Sequence, residues 1–197
     1  MAKINFSLPQ DNKRHFYCIN CDFPDNVEIK VDGKSKYKCN NCGKVLDRRI
    51  DLDPKITWWV DPNSKELWHE SVGVFVHNKE NKILFIERTI YPYGFTIPAG
   101  HLDKDEAAQQ AACRELFEET GIKTDNLKLI FEGALADKCR KGADYHMWHL
   151  YKFLLEKDQE IITDESEGKN PVWKNVDEAL TGELTSPVRY FLEKKLY

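Results

Sequence analysis

Glu115, Glu118 and Glu119 stand at i, i+3 and i+4 in the stretch GHLDKDEAAQQAACRELFEETGI, residues 100–122. No other feature constrains this chain so strongly. At 3.6 residues per turn the three carboxylates share one helix face. Like charges so placed repel by about 0.2–0.5 kcal/mol per exposed pair. They also occupy the last turn before Gly121, which suits a helix C′ position, and there the helix dipole disfavours anions. Arg114, four residues before Glu118, offsets part of that cost. A divalent cation would reverse both penalties. Hard carboxylate oxygens suit Mg2+ or Mn2+, whose remaining positions go to water and substrate phosphates. Earlier on the same stripe, Ala108, Ala111 and Ala112 are small enough to let the helix approach a sheet closely. The pattern predicts a helix around 106–119 whose packed face opens onto an acidic site. The competing reading is a solvated acidic helix.

The second constraint lies upstream. Four of the six cysteines fall in two pairs, Cys18-x2-Cys21 and Cys39-x2-Cys42, separated by seventeen residues. MAKINFSLPQ has no apolar signal core, and no apolar run reaches membrane length, so the expected location is the cytoplasm. Reduced thiols in two tight knuckles then suit a structural tetrahedral zinc better than disulfides. Gly43 follows the second pair as such a knuckle requires. A unit this short has little core, so metal binding would supply its folding energy. Residues 30–49 carry five more positive than negative side chains, and a four-thiolate zinc site returns −2 of that. The remainder is a weak argument for nucleic acid, and the net charge of the whole chain is only −4.

The layout expected is a zinc ribbon over 1–50, a connector over 51–69 and a larger domain over 70–197. In the first, VEIKVDGKSKYKC reads as a hairpin around Asp32-Gly33. In the connector, ITWWV is a candidate strand. ESVGVFVHN, KILFIER, LKLIFEGALA, YHMWHLYKFLLE and VWKNV read as strands of the larger domain. DEALTG is a short helix. SPVRYFLEKKLY starts a terminal helix, with Ser186 as N-cap and Pro187 at the first helical position. Strands mixed with helices imply an α/β or α+β fold.

Residues 100–122 resemble the Nudix box at every defined position: Gly100, Glu106, Arg114, Glu115, Leu116, Glu118, Glu119, Gly121 and Ile122. The preceding ILFIERTIYPYGFTIPAG is similar to the strand and loop before the box in that family. The resemblance, reaching from about residue 70 to the C-terminus, implies an α/β/α sandwich with a mixed sheet. It implies hydrolysis of a diphosphate bond in a nucleoside diphosphate linked to a group X. By that likeness Glu115, Glu118 and Glu119 are catalytic metal ligands. Glu106 and Arg114 support them, and Gly100 offers a backbone carbonyl. In TDESEG, Glu165 or Glu167 is the extra carboxylate, with Glu165 assigned as the catalytic base.

The substrate is less defined. A ribbon before such a domain resembles the NADH pyrophosphatase group, but the Ser-Gln-Pro-Trp-Pro element of that group is absent after this box. ADP-ribose hydrolases often carry a proline where this chain has Asp137, and the coenzyme A signature is also missing. Tyr91, Tyr93, Phe95 and Trp148 are candidates to stack a base, with Tyr93, Phe95 and Trp148 assigned to substrate. His101 could reach a phosphate. His146 and His149, three apart on a strand, point to opposite faces, which argues against a metal shared by those two. Cys113 reads as a packed thiol. The expected partner is a nucleotide-type small molecule. Nucleic acid and membrane are disfavoured, and Trp58, Trp59 and Trp68 near the junction permit a homodimer. A nucleotide-binding regulatory module, or an enzyme on capped RNA gripping through the ribbon, are the alternatives.

Overall fold

The structure, a computed structural model, describes residues 3–157, 159–163 and 165–197. Its N-terminal unit contains β1 (His15–Tyr17), β2 (Asn26–Val31), β3 (Lys34–Cys39), β4 (Val45–Leu46) and β5 (Ile50–Leu52). β2, β3 and β4 form an antiparallel sheet, and β1 pairs with β5. The β2–β3 turn is Asp32-Gly33, with φ of 50° and 75°. Both residues are left-handed, as the twist of a two-residue hairpin demands.

The main sheet is built on β7 (Leu67–His77), whose run SVGVFVH is buried along its whole length. A strand covered on both faces needs apolar residues at odd and even positions alike. β6 (Trp58–Val60) pairs with the start of β7, so the connector contributes a strand to this sheet. β8 (Ile83–Arg88), β9 (Gly94–Thr96) and β10 (Ala99–His101) follow. β11 (Lys128–Ala136), β12 (Tyr145–Leu154) and β13 (Gly168–Lys174) complete the sheet. Its order is β11-β12-β7-β8-β13, with β6 and β10 against β7 and β9 against β8. Among the strand pairs of the described residues only β12–β7 is parallel, so the sheet is mixed.

Helices cover both faces. α1 (Ala108–Thr120) lays Ala111, Ala112 and Leu116 on Val72, Val74 and Val76 of β7. The alanines allow the close approach their spacing suggested. On the other face α2 (Val176–Leu180) and α3 (Ser186–Glu193) pack Ala179, Val188, Phe191 and Leu192 against Phe75, Phe85, Trp148 and Leu150. The result is an α/β/α sandwich.

Two boundaries differ from expectation. α1 starts at Ala108, because Asp105 (φ 65°) breaks the helical path and Gln110 Oε1 accepts the Ala107 N–H at 3.3 Å. α3 has Thr185 at the N-cap position, with Ser186 already helical. Gly121 ends α1 with φ of 71°, and its N–H bonds Phe117 O at 2.8 Å.

The N-terminal unit does not stand apart. Ile4, Ile50, Leu52, Leu67 and Ala143 make a third core that joins it to the sandwich. Arg48 donates to Cys139 O (2.9 Å), Gly142 O (2.9 Å) and Ala143 O (2.8 Å), and pairs with buried Asp144 at 2.8 Å. Arg49 lies over the Phe16 and Tyr37 rings. Two of the seven cationic side chains of residues 30–49 are thus turned inward.

Candidate active site and metal centres

A cavity of about 530 Å3 opens between the end of α1, the β9–β10 segment and the loop between β11 and β12. Glu115, Glu118, Glu119 and Glu167 line it on one side, with Gly100 and Arg88. Asp137, Lys138, Cys139 and Arg140 line it on the other.

Arg114 organises the acidic side. Its Nε and Nη2 bond both oxygens of Glu106, at 3.1 and 2.8 Å. Its Nη1 reaches Glu115 at 2.7 Å and Glu118 at 3.2 Å, and Nη2 also holds the His101 carbonyl at 3.2 Å. One guanidinium thus fixes three box glutamates and the turn leading into the helix. Its hydrogen bond keeps the Glu106 carboxyl below the usual range. Glu119 Oε2 accepts the Ala99 N–H at 3.0 Å.

Burial pushes Glu115 up to about 7 and Glu119 up to about 8, against the pull of Arg114 on the first and Arg88 on the second. The neighbouring Glu118 charge also raises Glu115, the Glu115 charge raises Glu119, and Glu167 adds to both. Half-buried carboxylates held together at this cost fit a hard divalent cation, which would remove the penalty. Gly100 completes the fit. A Cβ there would fall on the Glu115 carboxyl group, so only glycine lets the backbone come this close.

The loop carboxylate that reaches the cavity is Glu167, next to Glu119 and Arg88. Glu165, assigned from sequence, is exposed and outside the lining. The two differ because Glu167 leads directly into β13, tied down by Thr89 N–H to Glu167 O at 3.0 Å, whereas Glu165 lies earlier in the turn. Of the aromatics, Trp148 and Tyr91 line the cavity. Tyr93 and Phe95 do not. Strand alternation in β9 turns Thr96 to the cavity and Phe95 to the core beside α3. Tyr93 packs edge-on to Tyr91 and under Lys34 Nζ, 4.2 Å from its ring. Arg88 was not singled out in the sequence; its burial depresses its pKa despite Glu119 and Glu167 beside it.

In the N-terminal unit, Cys18, Cys21, Cys39 and Cys42 are unpaired by disulfides, and their sulfurs all lie within 4.8 Å of one another. The two knuckles match: Asp22 (φ 59°) bonds back to Cys18 O at 2.9 Å, and Gly43 (φ 72°) to Cys39 O at 3.0 Å. Four convergent thiols are a tetrahedral donor set for zinc.

A second convergence was missed from sequence. His69, His101, Cys139 and His146 also bring their donor atoms within 4.8 Å. They are scattered over 78 positions with no local spacing to mark them. His101, which could reach a phosphate, lines the cavity and brings its ring to this cluster, 4.8 Å from His69. His146 and His149 do face opposite ways: His146 bonds Asp137 at 2.8 Å, His149 bonds Glu70 at 2.7 Å and Glu132 at 3.0 Å. Burial lowers His101 to about 3. For His146 burial opposes protonation, but Asp137 and Cys139 win and raise it to about 10.

A mixed sheet between helices, with a glutamate-bearing helix end beside a charged cavity, places the chain among the α/β/α sandwiches. Residues 67–194 match the NUDIX domain, and the chain belongs to that family. It is 32% identical over 132 residues to the methanol dehydrogenase activator of Bacillus methanolicus, covering 64% of this chain and 65% of that protein. It is 32% identical over 163 residues to the RNA pyrophosphohydrolase of Bartonella quintana, covering 68% and 91%. The fold resembles the MutT protein of Methanosarcina mazei, with a TM-score of 0.55, 19% identity, and 64% and 91% of the two chains covered. It also resembles the NUDIX domain of Shewanella oneidensis NrtR complexed with ADP ribose, with a TM-score of 0.54, 18% identity, and 70% and 94% covered. Among the described residues no helix is long and apolar enough to cross a membrane.

Proposed function

We propose that this protein is a Mg2+-dependent pyrophosphohydrolase that cleaves the diphosphate bond of a nucleoside diphosphate linked to X, acting in the cytoplasm. The observation that carries this reading is the convergence of Glu115, Glu118, Glu119 and Glu167 on one cavity faced by Arg88, Lys138 and Arg140. A cavity of about 530 Å3 suits a nucleotide-sized ligand. Glu115, Glu118 and Glu119 hold the cation, Mg2+ or Mn2+. When bound, it supplies charge neutralisation at the diphosphate and lowers the pKa of the attacking water.

The protein's own groups do the rest. Arg114 keeps Glu115 and Glu118 in place, the Ala99 N–H holds Glu119, and Glu106 anchors Arg114. Arg88, Lys138 and Arg140 orient phosphate oxygens. Glu167 takes the proton of the attacking water. Trp148 and Tyr91 offer ring faces to a base, the part first assigned to Tyr93 and Phe95. Zn2+ on Cys18, Cys21, Cys39 and Cys42 holds the ribbon and takes no part in chemistry, because four thiolates leave no open position.

The test is a substrate screen with Mg2+ over NADH, ADP-ribose, dinucleoside polyphosphates, nucleoside triphosphates and nucleotide sugars, read by product identity. Nucleoside monophosphate released from at least one of them is expected. No turnover on any would favour the nucleotide-binding regulatory module.

A second reading, action on the 5′ end of RNA, is favoured by the Bartonella relative, of which the match covers 91%. Lys30, Lys38 and Lys44 on the ribbon would then grip the strand. RNA binding that weakens steeply with salt would distinguish it.

A further inference from the structure

We propose that His69, His101, Cys139 and His146 form a second metal site, closed and zinc-binding, in the wall of the cavity. The pairing of the strands builds it. His146 on β12 lies directly opposite His69 on β7, and His101 on β10 lies opposite Ser71, two residues further along β7. Alternation puts all three imidazoles on one face of the sheet. Their rings form a triangle with centroids 4.8, 5.6 and 5.7 Å apart. Cys139 closes it from the loop above, its Sγ 3.5 Å from His69 Nδ1.

The four donor atoms lie within 4.8 Å of one another. Ligands of a tetrahedral zinc ion stand roughly 3.3–3.8 Å apart, given bonds of about 2.0–2.3 Å. Small side-chain adjustments therefore suffice. Three imidazoles and a thiolate are a borderline-soft set that selects Zn2+, whereas the box carboxylates select Mg2+. His69 and His146 are 0% and 2% exposed.

The surrounding groups are those of a built site. Asp137 Oδ1 holds His146 Nδ1 at 2.8 Å, which leaves Nε2 for the ion, and Trp148 Nε1 donates to the same oxygen at 3.4 Å. A carboxylate behind a histidine ligand orients the ring and raises its basicity. From the far side, Arg48 holds the Cys139 carbonyl at 2.9 Å.

Four protein donors saturate the ion, so it offers nothing to substrate. Its work is positional. It ties β7, β10, β12 and the Cys139 loop together, and so sets Lys138 and Arg140 opposite the glutamates and His101 beside Gly100. The site is independent of the hydrolytic reading.

The test uses the full-length protein purified without chelator. Metal analysis is expected to find about one zinc fewer per chain in the double variant Cys139→Ser/His146→Ala than in wild type. The difference reads this site, so a zinc-free ribbon would not imitate its failure. X-ray absorption at the zinc edge of the wild type needs no variant. It is expected to show a mixed shell averaging about 2.5 sulfurs per zinc, against about four from the ribbon alone. Equal zinc in both proteins, or a shell of sulfur only, overturns the proposal.

Discussion

Gly100 shows how one missing methyl group shapes the site, since a Cβ there would meet the Glu115 carboxyl. Gly100→Ala should displace that carboxylate and weaken Mg2+ dependence by about 10- to 100-fold, as changes beside metal ligands do. A Mg2+ titration of activity reads it, with the circular dichroism spectrum unchanged. Glu167→Gln should lower kcat by about 10²–10⁴-fold with little change in KM, while Glu165→Gln should stay near wild type. The reverse ranking would return the base to Glu165. Glu119 carries a pH signature. Its folded pKa, about 8, lies above its ordinary 4.5. Between these values the folded chain holds a proton that the unfolded chain has released, so stability falls as pH rises. Without Mg2+ the melting temperature should drop from about pH 5 to about pH 8, and Mg2+ should restore more at the upper end. A flat profile would contradict the burial of Glu119. Spacing alone exposed Glu115, Glu118 and Glu119, because all three sit on one helix. The choice of Glu167 over Glu165 could not be read that way, because a turn has no fixed period.

Along single elements, the helix that carries the box was legible in its alanines, glutamates and terminal glycine. Its first residue was not, because Asp105 takes a left-handed φ that nothing in its neighbours requires. Gly121→Ala should cost about 1 kcal/mol, since φ is 71° and an added Cβ would meet Ile162 only at ordinary contact distance, so the penalty is conformational rather than steric. Urea denaturation would measure it. β9 carries the same lesson for aromatics. Phe95 and Thr96 are neighbours in sequence, yet alternation sends one to the core and the other to the cavity. That split depends on which face of the sheet the cavity occupies, and no strand pattern states this.

Taken whole, the molecule is held across its two parts by Arg48 and by the core of Ile4, Ile50, Leu52, Leu67 and Ala143. Arg48→Ala breaks a largely buried pair with Asp144 and should destabilise the chain by about 3 kcal/mol. Because that core is shared, thermal unfolding should remain one transition, shifted downward in the variant. Two separate transitions would show that ribbon and sandwich melt independently. The same arginine anchors the Cys139 loop, so loss of Arg48 reaches the cavity from behind.

Two candidate metal sites were written locally: glutamates at helical spacing and cysteines in matched knuckles. Short-range periodicity is enough for such sites, since one helix or one turn brings the donors together. From them followed the acidic helix and the paired cysteine knuckles, while the sandwich followed from the likeness of residues 100–122 to the Nudix box. The histidine–cysteine cluster, the approach of Arg88 and Glu167, and the clamp by Arg48 arose only where distant segments met. Strand register and packing place those residues, and both are properties of the assembled sheet rather than of any stretch of chain.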